Sequence, residues 1–315
     1  MTGGARRAGR AGGADGAGPP AGPPGLLVVG DVVTDVVARH RTPLARGTDT
    51  AARIRILPGG AGANVACWAA RWGCADVRLL ACAGEADAAW HAERLTSAGV
   101  RPLLVADAEA PTATVVALVD EGAERTFLTD SGAVLRLGTD DWAPSLLDGV
   151  GHLHVSGYLL FSGTSRQAAG LAMRSARERG VPVSVDPASA GFIAELGVDT
   201  VLSALDGADV LFPNEDEARL LTGLPDAADA AAKLSRVVPL TVVTLGGRGA
   251  LVAESGRVTA RVPAVPAEAV DTTGAGDAFT GAFLAARLAG ADTATAAAEG
   301  CRAGAGAVTR VGGRP

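Results

Sequence analysis

The chain has 315 residues and a formal net charge of −6, and 48% of its residues are hydrophobic but only 3% are aromatic. This length suits one large domain or two ordinary ones, and a core of Ala, Val and Leu favours a sheet packed on both faces by helices. The acidic balance argues against nucleic-acid and anionic-membrane partners, and no apolar run approaches the roughly 18 residues of a membrane span, so we expect a soluble globular protein.

Residues 1–25 are a low-complexity segment of Gly, Ala, Pro and Arg, and we predict that they form a disordered leader. Ordered structure is predicted to begin with LLVVGDVVTDVVAR at 26–39, a buried strand that ends in small and acidic residues at a site. Strands and helices alternate from there, which predicts an α/β domain over 26–315 with a mainly parallel, doubly wound sheet flanked by helices. The predicted helices cover 62–73, 86–98, 139–147, 164–179, 214–222, 226–235, 275–290 and 292–308. The predicted strands cover 77–83, 101–106, 151–155, 182–186, 209–212, 240–245, 249–253 and 257–262.

Two segments interrupt this alternation. Residues 50–57 and 112–129 alternate like half-exposed strands, the second with a hairpin turn at 120–122, and neither has a helix to cover it. We predict that the segments at about 36–57 and 112–129 form a small separate sheet, inserted twice into the α/β core in a position that suits an active-site lid. Pairing of two subunits would close its uncovered face, so a homodimer through the lid is left open.

Lysine and cysteine usage excludes several kinds of site. The only lysine, Lys233, lies on a predicted exposed helix, so the chain has no P-loop, which needs a lysine after its glycine loop. The four cysteines show no C-x-x-C spacing and have no paired histidines nearby, which argues against zinc. We predict reduced, mostly buried thiols in a cytoplasmic protein.

The sharpest motif is VDTTGAGDAFTGAFLAARLAG at 270–290. Gly274, Ala275, Gly276 and Asp277 precede a periodic helix, and a glycine turn at a helix N-terminus presents backbone N–H groups that bind a phosphate oxyanion without a lysine. We expect Asp277 to be held ionised in this positive hole, where it could take a proton from an attacking hydroxyl during phosphoryl transfer. The alternative is an N-cap Asp on an ordinary helix entered through glycines.

A second motif is ILPGGAGANVACWAARWG at 56–73. Gly59, Gly60 and Gly62 let the backbone turn tightly and approach a ligand, and Asn64 is predicted to open a helix with its amide placed for sugar hydroxyls. It is not a dinucleotide fingerprint, because a valine follows where a third glycine is required. A strand-to-helix turn with an Asn cap is the alternative.

Together, P-G-G-A-G-A-N and D-T-T-G-A-G-D resemble the paired signatures of the ribokinase/PfkB family of carbohydrate kinases, over about residues 26–315. The resemblance implies a ribokinase-like α/β core with a small β lid, and ATP-dependent phosphorylation of a sugar-like hydroxyl with Mg²⁺. It implies that Asp277 is the catalytic base and that the three residues before it form the anion hole. The sugar-contacting positions implied are Asp35, Gly60 and Asn64, with Asp31 as a second candidate at the end of the first strand.

The same resemblance implies where Mg²⁺ is handled. Asn214 and Glu217 in LFPNEDEARLL resemble the family's N-x-x-E motif, which is linked to Mg²⁺ and phosphate, although the same residues would also make an ordinary N-terminal helix cap. Asp186, at the end of a buried strand, is expected to do similar work through water. Both acids are therefore candidate Mg²⁺ ligands.

The nucleotide loop of the family is matched by TLGGRGA at 244–250. The resemblance implies that Thr244, Gly246 and Gly249 touch phosphate or ribose, with Thr273 as a further nucleotide contact beside the anion hole. Adenine would then lie between this loop and the last helices, near Ala305, against apolar walls.

Potassium is a further ion that many family members hold, using an Asp two residues before the threonine of the anion hole and groups near the C-terminus. Asp271 and Thr273 are present, and AVTRVGGRP resembles the terminal loop. The sequence stops at Pro315, where relatives often continue with a small hydroxyl residue and a further helix. Activation by a monovalent cation is therefore left open rather than expected.

Two other functions remain open on these residues. A nucleoside kinase of the adenosine or pseudouridine type would have the same fold and a larger apolar lid pocket. A non-catalytic sugar or nucleotide sensor would keep the fold without turnover, and the intact segment 274–277 speaks against it. Sugar choice depends on a few lid and loop side chains that the sequence does not place.

Overall fold

Strands and helices alternate along residues 24–122 and 125–315, which are the residues that this computed structural model describes. The strands are β1 (Gly25–Val29), β2 (Val33–His40), β3 (Ala52–Gly59), β4 (Val77–Gly84), β5 (Val100–Asp107), β6 (Ala113–Val119), β7 (Arg125–Asp130), β8 (Val150–Ser156), β9 (Val183–Asp186), β10 (Val210–Leu211), β11 (Leu240–Thr244), β12 (Ala250–Glu254) and β13 (Arg257–Val262). The α-helices are α1 (Ala61–Arg71), α2 (Ala88–Ser97), α3 (Gly163–Glu178), α4 (Ala190–Leu196), α5 (Val198–Ala204), α6 (Glu215–Thr222), α7 (Ala227–Leu234), α8 (Ala275–Leu288) and α9 (Thr293–Ala307). The predicted leader over 1–25 falls outside the described residues except for its last two, and Gly25 already belongs to β1.

The main sheet has nine strands in the described residues, in the order β13-β12-β11-β10-β9-β8-β1-β4-β5. All neighbours from β11 to β5 are parallel, whereas β12 and β13 are added antiparallel. From β1 the chain adds β4 and β5 on one side of the sheet and β8 to β13 on the other. In such sheets ligands bind at the carboxyl ends of the strands, beside the point where the order changes side. The predicted mainly parallel, doubly wound sheet is confirmed.

The core lies on both faces of this sheet. Alternate residues of β1 point to opposite faces, so that Leu26 and Val28 pack with α1, α2, α8 and α9. Leu27 and Val29 pack in the other layer, with α3 to α7. Within the described residues, none of the helices is long and apolar enough to cross a membrane.

A second sheet is formed by β3, β2, β6 and β7 in that order. Strand β2 pairs antiparallel with β3 and parallel with β6, and β6 pairs antiparallel with β7 beyond the turn at 120–122. The predicted separate sheet is therefore confirmed, with its first strand beginning at Val33. The prediction of one strand over 26–39 is wrong, because β1 ends at Val29 and the chain crosses to the small sheet. The crossing passes close to α1, since a Cβ at Gly30 would lie 2.9 Å from Gly62 Cα.

The predicted helix over 139–147 is also wrong. The segment forms two short 3₁₀ turns, Thr139–Asp141 and Pro144–Leu147, because Pro144 has no N–H to continue an α-helix. The sequence interpretation missed the 3₁₀ segments Gly132–Arg136 and Gly157–Phe161 as well as α4 and α5. Helices α4 and α5 have seven residues each and are separated by Gly197 at φ +93°, so neither is long enough to show helical periodicity.

Candidate active site

A cavity of about 330 Å³ lies at the carboxyl ends of the main-sheet strands and beneath the small sheet. Five carboxyl groups border it, which is an unusual concentration of like charge for a half-enclosed space. They come from the β1–β2 crossing, β2, β9, α6 and α8, and are Asp31, Asp35, Asp186, Glu217 and Asp277. The fold thus brings together acids that are up to 246 positions apart in the printed sequence.

Asp31 is buried and its carboxylate is bound within the protein. It accepts hydrogen bonds from the backbone N–H groups of Ala61 at 2.8 Å and Gly62 at 3.0 Å. The hydroxyl of Ser156, at the end of β8, donates a third bond at 2.7 Å. These bonds hold the first turn of α1 against the main sheet. Asp31 also borders the cavity, and its contact with sugar stays a prediction.

Asn64 lies inside α1 and points toward the first turn of α8. The prediction that Asn64 opens the helix is wrong, and so is the alternative of an Asn cap, because α1 begins at Ala61 and its cap is Gly60, whose φ of +97° suits only glycine. The Asn64 Nδ2 donates to Asp277 Oδ2 at 2.7 Å. Its Oδ1 is buried and has no hydrogen-bond partner among the described residues, so one strong acceptor is available to a ligand hydroxyl.

Helix α8 begins as the motif predicts. Gly274 caps it in the left-handed conformation, at φ +73°, and a Cβ there would lie 2.5 Å from Gly313 Cα. In the described residues, the backbone N–H groups of Gly276 and Asp277 donate to no protein group, and that of Ala275 makes only a 3.4 Å contact with Thr272 O. The helix terminus therefore presents an open N–H pair of the kind that binds an anionic oxygen.

Asp277 has an increased affinity for protons. Burial raises its pKa well above the ordinary value, the hydrogen bond from Asn64 opposes this, and the carboxyls of Asp186, Asp31 and Asp35 raise it further. Burial and like charges thus act against the ionised form that the helix N-terminus was predicted to favour. A raised pKa suits a general base, which must bind the proton that it removes.

Asp35 faces the cavity from the middle of β2, between Leu57 of β3 and Val115 of β6. Its carboxylate makes no side-chain hydrogen bond within the described part of the chain. Burial raises its pKa to about 6, Arg314 opposes this, and Asp31 and Asp271 add to it. Gly59 is required beside it, since a Cβ there would lie 2.2 Å from Asp35 Oδ2.

Asn214 and Glu217 form the helix cap that the sequence left as an alternative, and they also border the cavity. Asn214 Oδ1 accepts from the Glu217 N–H at 2.9 Å, while Glu217 accepts from the Asn214 N–H at 2.9 Å and from its Nδ2 at 2.5 Å. Burial raises the pKa of Glu217 to about 7 despite these bonds. The two roles are compatible, because the cap fixes the carboxylate at the cavity wall.

Asp186 ends β9 on the same side of the cavity. It accepts from the Ala188 N–H at 2.9 Å, and burial together with Glu217 raises its pKa well above the ordinary value. A cation would relieve the repulsion between the Asp186 and Glu217 carboxylates. Mg²⁺ suits such a pair, because it binds one or two carboxylates and completes its shell with phosphate and water. The described residues contain no group of three or more acidic, His or Cys side chains that could hold a metal alone.

A second cavity of about 490 Å³ lies between the loop after β11 and helices α8 and α9. Its walls are largely apolar and include Val265, Phe279 and Ala305, the position expected for adenine. Thr244 and Gly246 line it as expected, but Gly249 is not among the lining residues. Gly249 serves the turn itself, because its φ is +94° and a Cβ would lie 1.9 Å from Val262 O.

The two cavities meet at Thr244 and Gly276, which line both. Gly276 carries one of the open N–H groups and precedes Asp277 in the chain. An anion bound to this N–H pair would therefore be within reach of molecules in either cavity. This is the arrangement that transfer of a group between two bound substrates requires.

The loop before α8 is held by Asp271. Its Oδ1 accepts from the Thr273 N–H at 3.0 Å and from the Thr273 hydroxyl at 2.7 Å, and its Oδ2 accepts from the Gly312 N–H at 3.1 Å. Thr273 borders the first cavity. Binding of a monovalent cation here stays open.

Two features of the site were missed from the sequence. One is an aromatic wall of Tyr158, Phe161 and Phe192, whose ring centroids lie 4.8 to 6.3 Å apart at the first cavity. The other is Arg314, whose Nη2 donates to Gly59 O at 2.9 Å near Asp35. No spacing rule connects Tyr158 to Phe192 or connects Arg314 to β2.

Comparison with known proteins gives consistent results. Residues 24–315 match the model of the pfkB family carbohydrate kinases. A fructokinase from Klebsiella pneumoniae is 33% identical over 270 residues, which cover 82% of this chain and 83% of that protein. A ribokinase from Arabidopsis thaliana is 29% identical over 85% of this chain and 71% of its own length.

Solved structures have the same fold. A ribokinase from Thermotoga maritima superposes with a TM-score of 0.78 at 26% identity, covering 92% of this chain and 94% of that chain. A protein from E. coli assigned as ribokinase II, in complex with ATP and Mg²⁺, has a TM-score of 0.81 at 25% identity with the same coverage. An adenosine kinase from Sinorhizobium meliloti shares the fold, with a TM-score of 0.81 at 23% identity over 93% of this chain and 96% of that chain.

Proposed function

The chain belongs to the pfkB family of carbohydrate kinases, and we propose that it transfers the γ-phosphoryl group of ATP to a sugar hydroxyl at the point where its two cavities meet. One observation carries this proposal. Asp277 and the open N–H pair of Gly276 and Asp277 lie at the junction of a carboxyl-rich cavity and an apolar one. A proton acceptor beside an oxyanion site, between two substrate spaces, is what phosphoryl transfer to a hydroxyl needs.

The donor nucleotide would occupy the second cavity. Its apolar walls suit adenine, and Gly246, at φ +57° in the loop after β11, allows close backbone approach to phosphate or ribose. The γ-phosphate would then reach the N–H pair at the start of α8. These groups donate to the equatorial oxygens and stabilise the charge that spreads over them in the transition state.

The acceptor sugar would occupy the first cavity. Asp35 has both carboxylate oxygens available to accept hydrogen bonds from hydroxyls, and Asn64 Oδ1 is a further unpartnered acceptor. Gly60 has no side chain, so the sugar ring can approach the backbone closely at this position. The fructokinase and ribokinase relatives make fructose and ribose the first candidates.

The chemical step assigned to Asp277 is removal of the hydroxyl proton. The sugar oxygen forms a bond to the γ-phosphorus while the bond from that phosphorus to the β–γ bridging oxygen breaks. The hydroxyl proton passes to the Asp277 carboxylate, and the electron pair of the broken bond stays on ADP. Asn64 orients the carboxylate by its 2.7 Å bond to Oδ2.

Asp186 and Glu217 fit the handling of Mg²⁺, because two buried carboxyls with raised pKa values border the same cavity wall. When bound with ATP, Mg²⁺ neutralises phosphate charge and favours the in-line arrangement. Asn214 fixes the Glu217 carboxylate by two hydrogen bonds, from its backbone N–H and from its Nδ2, so that the carboxylate faces the phosphates without rearranging.

The small sheet is proposed to act as a lid. Its inner face contributes Val33, Asp35, Val115 and Thr129 to the acceptor cavity, so closure would remove water from the sugar and from the attacking hydroxyl. Exclusion of water prevents hydrolysis of ATP in place of transfer.

The outer face of the small sheet supports the predicted homodimer. Strand register places Ile54, Ile56 and Leu128 on this face, and they are 62%, 64% and 58% exposed. Exposed apolar side chains on one sheet face mark an interaction surface, and we propose that a second copy of the chain covers it. Light scattering should give a dimer mass for the wild type and a monomer mass for Ile56→Lys, and a monomeric wild type would contradict the proposal.

A nucleoside is the second candidate acceptor. The wall of Tyr158, Phe161 and Phe192 offers ring faces and edges for stacking, in a chain with only six Phe and one Tyr. A nucleobase on the sugar would use this wall, whereas a free sugar would leave part of it unused.

A cytoplasmic location, where ATP is available, agrees with the four cysteines being free thiols.

The test is a panel of acceptors with Mg·ATP, measured by ADP release. The panel contains ribose, fructose, 2-keto-3-deoxygluconate, fructose 1-phosphate, adenosine and pseudouridine. Transfer to one of these by the wild type and by Asp292→Asn, but not by Asp277→Asn, supports the proposal. Asp292 is the matched control, because it caps α9 on the surface and asparagine preserves that cap. Equal turnover by Asp277→Asn would contradict the assigned base.

A further inference from the structure

The last residues of the chain form a strap between α1 and the loop before α8. Gly312 donates its N–H to Asp271 Oδ2 at 3.1 Å, and Gly313 O accepts from Trp68 Nε1 at 2.8 Å. Gly313 also packs closely against Asn64, where an added Cβ would lie 2.4 Å from Nδ2. The strap Gly312–Arg314 is thus fixed to the loop before α8 and to α1 at the same time.

Arg314 ends this strap with a buried guanidinium. Its Nη2 donates to Gly59 O at 2.9 Å, whereas Nε and Nη1 are buried with no hydrogen-bond partner in the described part of the chain. Burial lowers the pKa of this side chain below its usual range, and Cys67 together with the carboxyls of Asp35 and Asp31 opposes that effect. A buried cation with unsatisfied donors is costly unless a counter-charge lies close by.

Asp35 lies on the other side of the same glycine. The Gly59 carbonyl binds Arg314, and the Gly59 Cα side abuts the Asp35 carboxylate, where a Cβ would come within 2.2 Å of Oδ2. Among the described residues, Arg314 is the cation that acts on Asp35, while Asp31 and Asp271 act on it as like charges. The other titratable groups that Arg314 faces are Cys67 of α1 and His91 of α2.

We infer that Arg314 is a positioning residue for acceptor binding: held on the Gly59 carbonyl by the C-terminal strap, its guanidinium is the counter-charge that keeps the Asp35 carboxylate ionised to receive sugar hydroxyls. The effect of Arg314 on the sugar KM rests on the proposed function, because it requires that Asp35 bind the acceptor. The electrostatic coupling of Arg314 and Asp35 is a property of the protein without any substrate. Removal of the guanidinium therefore raises the pKa of Asp35 and leaves the nucleotide side unchanged.

The direct test follows the Asp35 carboxyl by NMR in protein labelled with ¹³C at aspartate γ-carbons. Asp35→Asn identifies the resonance by its loss. We expect a titration midpoint near 6 in the wild type and about one pH unit higher in Arg314→Met. Arg314→Lys, which keeps a charge, should stay near the wild type. Arg310→Met is the matched control, because Arg310 is an exposed residue of the same segment that lies over the Trp68 ring. An unshifted midpoint in Arg314→Met would overturn the inference.

The kinetic test uses D-fructose or D-ribose, whichever is phosphorylated faster, as the acceptor. At pH 6.5, Arg314→Met should raise the KM for the sugar about threefold, and the difference should vanish near pH 8.5 where Asp35 is ionised in both proteins. The KM for ATP should not change. If Asp35→Asn leaves the sugar KM unchanged, the acceptor role of Asp35 fails, and the NMR titration still decides the Arg314 inference. A sugar KM that rises equally at pH 6.5 and 8.5 in Arg314→Met would contradict the electrostatic role.

Discussion

The bond between Asn64 and Asp277 offers the sharpest perturbation of the proposed base. Asn64→Leu removes a 2.7 Å hydrogen bond to the Asp277 carboxylate without adding a charge or much volume. A hydrogen bond to a charged group contributes about 1.5–3 kcal/mol, and one pKa unit corresponds to about 1.4 kcal/mol. Loss of this bond should therefore raise the pKa of Asp277 by roughly one to two units.

The sign of the kinetic effect follows from the role of the base. Asp277 accepts a proton only when ionised, so kcat falls as the pH falls through its pKa in the substrate complex. In Asn64→Leu the acidic limb of the kcat profile should move to higher pH by about one to two units. The KM for the acceptor should also rise, because Asn64 Oδ1 is lost as an acceptor of hydroxyl hydrogen bonds.

The assay is the kcat profile from about pH 5 to pH 9 at saturating ATP and acceptor. Trp72→Phe is the matched control, because it removes a 3.0 Å hydrogen bond from the same helix to the Glu299 carboxylate, away from both cavities. Thermal unfolding of each variant shows that the fold persists. The reasoning is refuted if the acidic limb of Asn64→Leu coincides with that of the wild type and of Trp72→Phe.

Three further predictions concern stability and substrate choice. Burial lowers the pKa of His154 to about 3, so the neutral ring stabilises the fold fully above pH 6.5 and this contribution is lost as the pH falls. Between pH 7 and pH 5 the free energy of unfolding, measured in urea, should therefore fall by about 2 kcal/mol less in His154→Gln than in the wild type. Gly249→Ala should destabilise the protein by at least about 1–3 kcal/mol, because its φ is +94° and the added Cβ would meet the Val262 carbonyl. Gly247→Ala is the control and should have little effect, because its Cβ would meet nothing within 4 Å. Equal unfolding midpoints of the two variants would contradict this. Phe192→Leu should weaken nucleoside binding more than free-sugar binding, and equal changes in the two KM values would remove the argument for stacking.

Much of the fold could be predicted because its signals are local. The parallel strands are continuous apolar runs, and α8 follows a glycine turn whose chemistry is contained in four consecutive residues. The small sheet was predictable for the same reason, since apolar and polar residues alternate along its strands. The short helices α4 and α5 and the 3₁₀ turns around Pro144 were not, because their conformation depends on tertiary packing.

The residues of the candidate site could be predicted from the sequence, but most of the contacts between them could not. The motifs named Asp35, Asn64 and Asp277, but they did not reveal that Asn64 binds Asp277 directly or that Asp31 is occupied by backbone donors. Arg314 has no motif, and its importance comes from a contact with Gly59 that spans 255 positions. Raised pKa values depend on burial and on the convergence of several acids, which no single segment encodes.

The central claim is that Asp277 removes the hydroxyl proton during phosphoryl transfer, and a single-turnover measurement tests it most directly. Excess enzyme would be mixed with Mg·ATP and the acceptor found in the panel, and formation of ADP and of the phosphorylated acceptor would be followed together. We expect equal amounts of the two products in the wild type and in Asp292→Asn, and a rate at least about 10²-fold lower in Asp277→Asn, with ATP bound as tightly as in the wild type. A wild-type transfer rate in Asp277→Asn would show that Asp277 is not the base.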